Sequence, residues 1–327
     1  MRRARYLGSE RQRGAAILAA MVTVVLVATI AAAAVQQQWR MVEVESAERT
    51  RQQAQWLLRG ALDWSRLLLR QDAQSNGGGA GVDHLAEPWA IPLQSTRVSS
   101  FLTADQGVSD ASVALTEAYL AGGLEDLQGR LNVLNLVYGD AEVYGRQLQR
   151  LFERLGLPQA QYVLLRQGLL QAADADAGEQ RPLMPQRVQD LAWLGLAPET
   201  VQRLAPYVAM LPAVVAVNLN TASAQVIWAV AEGVEWGQVQ ALVSERRQQH
   251  FKTVAAAQAL LQQGSLSSDH FTTASHYFVA QGQARVNDIG LSLQAVLQRA
   301  NTTVTAMQVQ AQGWRTGALG PSGATKE

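Results

Sequence analysis

The chain contains no cysteine. No disulfide can hold it together, even in a compartment that would permit one. Its stability must come from packing, with a bound metal as the other route. Histidine is scarce too. His84, His250, His270 and His276 are the four, and they fall in no metal-ligand spacing such as HExxH. There is no GxSxG and no phosphate-binding P-loop pattern. Carboxylates such as Glu43 and Glu45 lie on a solvated helix face. No catalytic constellation remains, so the chain reads as a non-enzyme. Charge of one sign is also missing: 27 basic side chains balance 27 acidic ones. A near-neutral chain argues against nucleic acid as the main partner. No long charge run and no internal repeat is present.

What stands out is one apolar run. From Ala15 to Val35 there is no charge, no proline and no glycine. At a helical rise of 1.5 Å per residue these residues span roughly 31 Å, enough for a bilayer core. Before it lie Arg2, Arg3, Arg5, Arg11 and Arg13, against Glu10 alone. That leader carries +4, which leaves −4 from Ala15 onward. Positive charge stays cytoplasmic, so the reading is a single-pass inner-membrane protein with its C-terminal part in the periplasm. Ala32-Ala33-Ala34 offers a secretory cleavage site as one alternative, and an unprocessed anchor is another.

Gly14 points elsewhere. A glycine between the last arginine and the apolar run resembles the prepilin leader of type IV pilins and type II secretion pseudopilins. That resemblance implies cleavage after Gly14 by the prepilin peptidase and a mature chain starting at Ala15. Two positions depart from the common pattern. Ala15 stands where Phe or Met is usual, and Ala19 stands where a glutamate is usual. A buried carboxylate in a bilayer needs a partner. In pilins that glutamate is thought to meet the amine of the subunit above. A subunit with Ala19 lacks the upward contact, which suggests the tip of a fibre.

The helical pattern continues past Val35 with Gln, Glu and Arg. Leu57, Ala61, Trp64 and Leu68 form one apolar stripe, opposite Glu48, Arg51, Arg59, Arg66 and Arg70. The reading is one helix, residues 15–35 in the membrane and 36–72 amphipathic and packed on a head. Residues 75–81 form a glycine-rich connector. A proline-bearing loop, Glu87 to Pro92, follows it. Val113–Leu120 reads as a strand, Gly122-Gly123 as a turn, and Leu131, Val133 and Asn135 as one face of a second strand. Helices are expected at 143–155, 162–173, 188–193, 198–210, 222–232, 236–249 and 253–262, with Thr221 as an N-cap. Strands return at 275–280, 283–287, 291–298 and 302–311 as an antiparallel meander, before a tail at 316–327 read as disordered.

The expected fold class is therefore α+β. A pilin-like long N-terminal helix lies on an antiparallel sheet, and an all-α domain of helix-hairpin-helix or SAM-like type is inserted. The expected boundaries are a leader 1–14, a head made of 82–137 and 273–315, and an insert 138–272.

Three further segments carry a wider resemblance. They are Asp126-Leu127-Gln128-Gly129-Arg130-Leu131-Asn132-Val133-Leu134-Asn135-Leu136, then Leu204 to Pro212 followed by Val217-Asn218-Leu219-Asn220-Thr221-Ala222-Ser223, and Ser275-His276-Tyr277-Phe278-Val279. In this order they resemble the type II secretion minor pseudopilin K family, also called general secretion pathway protein K. The resemblance implies assembly with minor pseudopilins I and J and with the major pseudopilin. It also implies calcium near Asp174, Asp176 and Glu179, where the family's acidic loop is shortened. Calcium takes 6–8 oxygens and only three side chains are available, so a solvated acidic turn is an equal reading.

Residues 217–254 also resemble a helix-hairpin-helix module that holds DNA phosphate. Glu232 and Glu235 stand where phosphate would sit, so the fold is read as one used for protein contact. A minor pilin of a type IV pilus or competence system that touches DNA is the runner-up. A monomeric membrane-anchored binding module is the third reading.

Overall fold

The computed structural model describes residues 10–75, 81–98, 117–174, 176 and 181–315. The expected tail, most of the glycine-rich connector, Glu179 and the start of the Val113–Leu120 strand lie outside the described residues.

Helix α1 runs unbroken from Glu10 to Ser75, 66 residues. Among the described residues it is one helix long and apolar enough to cross a membrane, near the N-terminus. Thr23 and Thr29 keep it uniformly satisfied, each donating its hydroxyl back to a carbonyl three residues earlier, of Ala20 and Leu26. The second half lies on the sheet through Ala54, Leu58, Leu62, Leu69 and Ala73, all buried. This corrects the expected stripe by one residue, or about 100° of helix rotation. Leucines occur at both 57/68 and 58/62/69, so the pattern offered two adjacent stripes. The sheet takes the one with more large aliphatic side chains. The tryptophans go outward as a result: Trp39 is 75 % exposed, Trp56 67 % and Trp64 53 %.

The sheet is antiparallel and five-stranded, in the order β1 (Leu93–Arg97), β2 (Ala118–Asp126), β7 (Tyr277–Val286), β8 (Ile289–Ala300), β9 (Thr303–Arg315). The expected meander is present, with tight turns at Asn287 and Asn301, both at positive φ that asparagine tolerates. Two expected breaks are absent. Gly122-Gly123 is no turn but lies inside β2, and Gln281-Gly282 continues β7. The glycines there answer a packing need. Gly122 faces Gly282 across the strands, and a Cβ on Gly122 would sit 2.4 Å from the Gln281 carbonyl oxygen. A Cβ on Gly282 would lie 3.1 Å from a Leu58 methyl. The pair forms the notch into which α1 settles. Strand β1 was not anticipated.

The remaining elements pack around a separate apolar cluster that includes Leu148, Leu151, Phe152, Leu165, Leu169, Leu191 and Leu204. They are β3 (Leu131–Asn132), α2 (Asn135–Tyr138), α3 (Ala141–Arg154), α4 (Gln159–Ala173), a 3-10 helix (Val188–Leu194) and α5 (Pro198–Leu204). Next come β4 (Val208–Ala209), β5 (Val217–Asn218), α6 (Ala224–Val230), α7 (Trp236–Gln248), α8 (Val254–Gln258) and β6 (Phe271–Thr272). Asp140 caps α3 by accepting from the Glu142 and Val143 amides.

Three expectations change here. The helix starting at Pro198 stops at Leu204, before Pro206, and β4 then pairs in parallel with β3. The expected second strand is only β3, followed by helix α2. Ser223, not Thr221, caps α6.

Candidate functional site

The three sequence segments meet at one buried polar junction between the sheet and the helical region. Asparagines do much of the joining. Asn132 accepts from the Leu211 amide at 2.9 Å and donates to the Leu211 and Ala213 carbonyls at 3.1 and 2.8 Å. Asn135 does the same to Val215, accepting from its amide and donating to its carbonyl. Asn220 brackets Phe251 in the same two-way manner. A side-chain amide offers donors and an acceptor together, so it can replace a missing strand partner. Gln128 adds a fourth bracket, from the His276 amide to the Ala216 carbonyl. Gly129 belongs to the same contact, since a Cβ there would meet Thr221 at 2.9 Å.

Asp126 lies at the centre, fully enclosed. Its carboxylate accepts from Thr221 and Ser275 hydroxyls at 2.6 Å each, Asn218 Nδ2 at 3.0 Å and the Gln128 amide at 2.7 Å. Burial pushes its pKa up, and these four donors pull against that. Thr221 thus serves Asp126 rather than a helix end.

Beside it is a cation that sequence reasoning missed. Arg299 is 3 % exposed. It donates to Asp83 at 2.6 and 2.7 Å, to Asp72 at 2.6 Å and to the Ser275 carbonyl at 2.7 Å. Burial pushes Asp83 up to about 6, with the guanidinium pulling it back, so the pair is charged at neutral pH. Glu87 lies close to both acids, with carboxylate oxygens of all three within 4.8 Å. Arg299 supplies the positive charge these carboxylates need. The signal was present in β8. Leu291, Leu293, Ala295, Leu297 and Arg299 share one face at period two, and an arginine on an inward face requires a buried acid.

The other candidates are placed plainly. Gly14 lies within α1, and Ala15 and Ala19 are exposed on the apolar segment. Asp174 and Asp176 are exposed after α4, and Asp174 Oδ1 accepts from the Asp176 amide at 2.9 Å. Glu179, the third expected ligand, lies outside the described residues.

The hairpin before α7 turns through Gly233 at φ 67° and is closed by pairing of Glu232 with Ser265. Glu232 and Glu235 are exposed on it. Arg246, on α7, points inward to the Leu219 carbonyl, and burial lowers its pKa to about 10. Arg150 likewise donates to the Trp228 and Ala231 carbonyls at the end of α6. Arginines spent on the backbone are not available to phosphate.

These features define a membrane-anchored subunit of pilin-like α+β architecture. Its distinctive chemistry is structural, the joining of a helical region to the head. Two family models, both described as type II secretion system protein K, match residues 129–213 and 217–279. Type II secretion system protein K of Pectobacterium carotovorum subsp. carotovorum is 25 % identical over 94 % of this chain and 98 % of its own length. That of Pseudomonas aeruginosa is 26 % identical over 88 % and 89 %. The crystal structure of the GspK-GspI-GspJ complex from the enterotoxigenic Escherichia coli type 2 secretion system shares the fold. Its TM-score is 0.58 at 18 % identity, over 81 % of this chain and 98 % of that one. Along most of its length the chain is thus similar to type II secretion system protein K, and it shares the fold of the complex's subunit.

Proposed function

We propose that this subunit caps the pseudopilus at its tip, together with minor pseudopilins I and J, and supports export across the outer membrane. The carrying observation is α1, which passes without a break from the apolar segment into the head. On this reading the prepilin peptidase cuts between Gly14 and Ala15, and Ala15–Val35 joins the apolar helices of the other subunits in the inner membrane. The new amine at Ala15 accepts the glutamate of the subunit below. With Ala19 in place of a carboxylate, no subunit is recruited above. The head and its inserted helices present bulk where further growth would occur.

The partnership with I and J is carried over from the related complex, whose title names them. A DNA-binding minor pilin fits less well, because the hairpin exposes Glu232 and Glu235 and the half-buried Arg246 on α7 is turned to the Leu219 carbonyl. The test is N-terminal sequencing of membrane-extracted protein from cells with and without the peptidase. A peptidase-dependent start at Ala15 is the expected result. An intact Met1, or a start after Ala34, overturns the assignment.

A further inference from the structure

Two histidines that the junction's hydrogen bonds do not account for are stacked on each other. The rings of His84 and His250 are 3.8 Å apart and tilted by only 11°. They come from different parts of the fold. His84 lies in the loop that follows α1, three residues from the end of the glycine-rich connector. His250 ends the chain segment after α7, in the helical region. The surrounding contacts join the same two parts: Asp83 donates its amide to the Thr273 carbonyl, and Thr273 donates its hydroxyl to the Lys252 carbonyl. Both rings are half-buried.

The geometry fits a neutral His84 ring. His84 Nδ1 accepts a hydrogen bond from the Ala86 amide at 3.2 Å, so a proton at that nitrogen would break the turn. A second charge on His250, face to face with the first, would add like-charge repulsion in a partly desolvated contact. The groups around the pair are mixed. On the His84 side are Asp72 from α1, Glu87, which accepts the His84 amide at 2.9 Å, and Asp83, whose charge is paired with Arg299. On the His250 side are the exposed Arg247 and Lys252, both cationic. Burial, then His250, hold His84 below the ordinary histidine range, while Asp72 pulls the other way.

We infer that the His84–His250 stack is an acid-sensitive latch between the loop after α1 and the helical region, closed when both rings are neutral and released when they are protonated. A base held below its ordinary pKa in the closed state destabilises that state as pH falls. The region that opens is local: residues 84–87 and 249–250 part, while Trp89, Phe251 and the Asp83–Arg299 pair stay buried. A subunit exported into a compartment that follows outside acidity would then offer the loop face and the α7 end as new surface.

The experiment uses the full chain in detergent micelles with EDTA present. Amide exchange is followed by mass spectrometry at about pH 7.5 and about pH 5, corrected for intrinsic exchange, alongside NMR titration of the histidine ring protons. In the wild type, residues 84–87 and 249–250 are expected to lose protection by roughly tenfold or more at the lower pH, and residues 89 and 251 to keep theirs. The two rings should titrate as a coupled pair. His250→Phe keeps a ring on His84 without the second charge, and should keep most of the protection at the lower pH. His250→Lys should show the open pattern already at the higher pH. Glu87 and Asp83 titrate in the same window but remain in both variants. An equal pH response in wild type and His250→Phe would therefore assign the effect to the carboxylates and overturn the latch. So would independent ring titrations, or pH-invariant protection in the wild type.

Discussion

Arg299 and Asp72 are 227 positions apart in the chain and 2.6 Å apart in the fold. The same guanidinium grips Asp83. One cation therefore ties the last turn of α1, the loop behind it and the end of β8 to a single point. Breaking a buried pair from one side leaves an uncompensated charge. Arg299→Met should cost about 3–5 kcal/mol, read as a drop in thermal or urea midpoint for the full chain in micelles. The double variant Arg299→Met with Asp83→Asn should recover a large part of this. A single variant as stable as wild type would show that the triad carries no weight.

Asn132 makes its three contacts to a segment 79–81 residues away. Replacing it with alanine leaves buried backbone groups unpaired, at about 1–3 kcal/mol for each unsatisfied group. Asn132→Ala should destabilise by about 3 kcal/mol, and Asn132→Asp by a similar amount, because the acid cannot donate. Chemical unfolding monitored by tryptophan fluorescence would check both.

The notch at Gly282 makes a steric claim. Gly282→Val would push against Leu58 and lift α1 from the sheet, an overpacking cost of about 1–3 kcal/mol. Leu58→Ala in the same chain should relieve part of it. Additive losses in the double variant would contradict the contact.

Glu87 gives a pH dependence of defined sign. Burial pushes its pKa up to about 7, opposed by donation from the His84 amide and the Trp89 indole, with Asp72 and Asp83 adding to the rise. A raised carboxylate contributes stability that is present below the unfolded value near 4.5 and is lost as pH rises through about 7. The side chain is partly exposed, so screening reduces the effect to about 1 kcal/mol. Glu87→Gln keeps both acceptor bonds and should flatten the decline between those pH values. An unchanged slope would point to another group.

Calcium tests the acidic turn at Asp174 and Asp176. A turn that is only solvated leaves the melting temperature unchanged by calcium or EDTA. A calcium-dependent rise of several degrees, lost in Asp174→Asn, would make the acidic turn a cation site after all.

Much of the architecture was legible because it rests on periodicity. The apolar run, the C-terminal meander and helices α3 and α4 follow from spacing alone. The errors have physical causes. The α1 stripe was ambiguous because two neighbouring faces were both apolar, and only the sheet's notch chooses between them. Gly122-Gly123 looked like a turn because glycine serves both turns and close strand approach. The junction was legible only in pieces. Its motif residues could be named, but their mutual contacts span 31 to 149 positions, and no local pattern encodes them. Arg299 was readable in principle from its inward register, while its two acids, on α1 and a loop, were not.

The brackets at Asn132 and Asn135 have a topological consequence. The chain leaves the junction at Asn135 and re-enters it between Leu211 and Val215, so departure and return lie within hydrogen-bonding distance of each other. A segment held closed at its neck can lengthen, shorten or change its helices while the strands on either side keep their path, since closing a longer loop costs only about 0.6 kcal/mol per doubling. The exposed turns between the helices can thus lengthen on one stem, while β4 stays paired with β3 and Arg150 stays bonded to the end of α6.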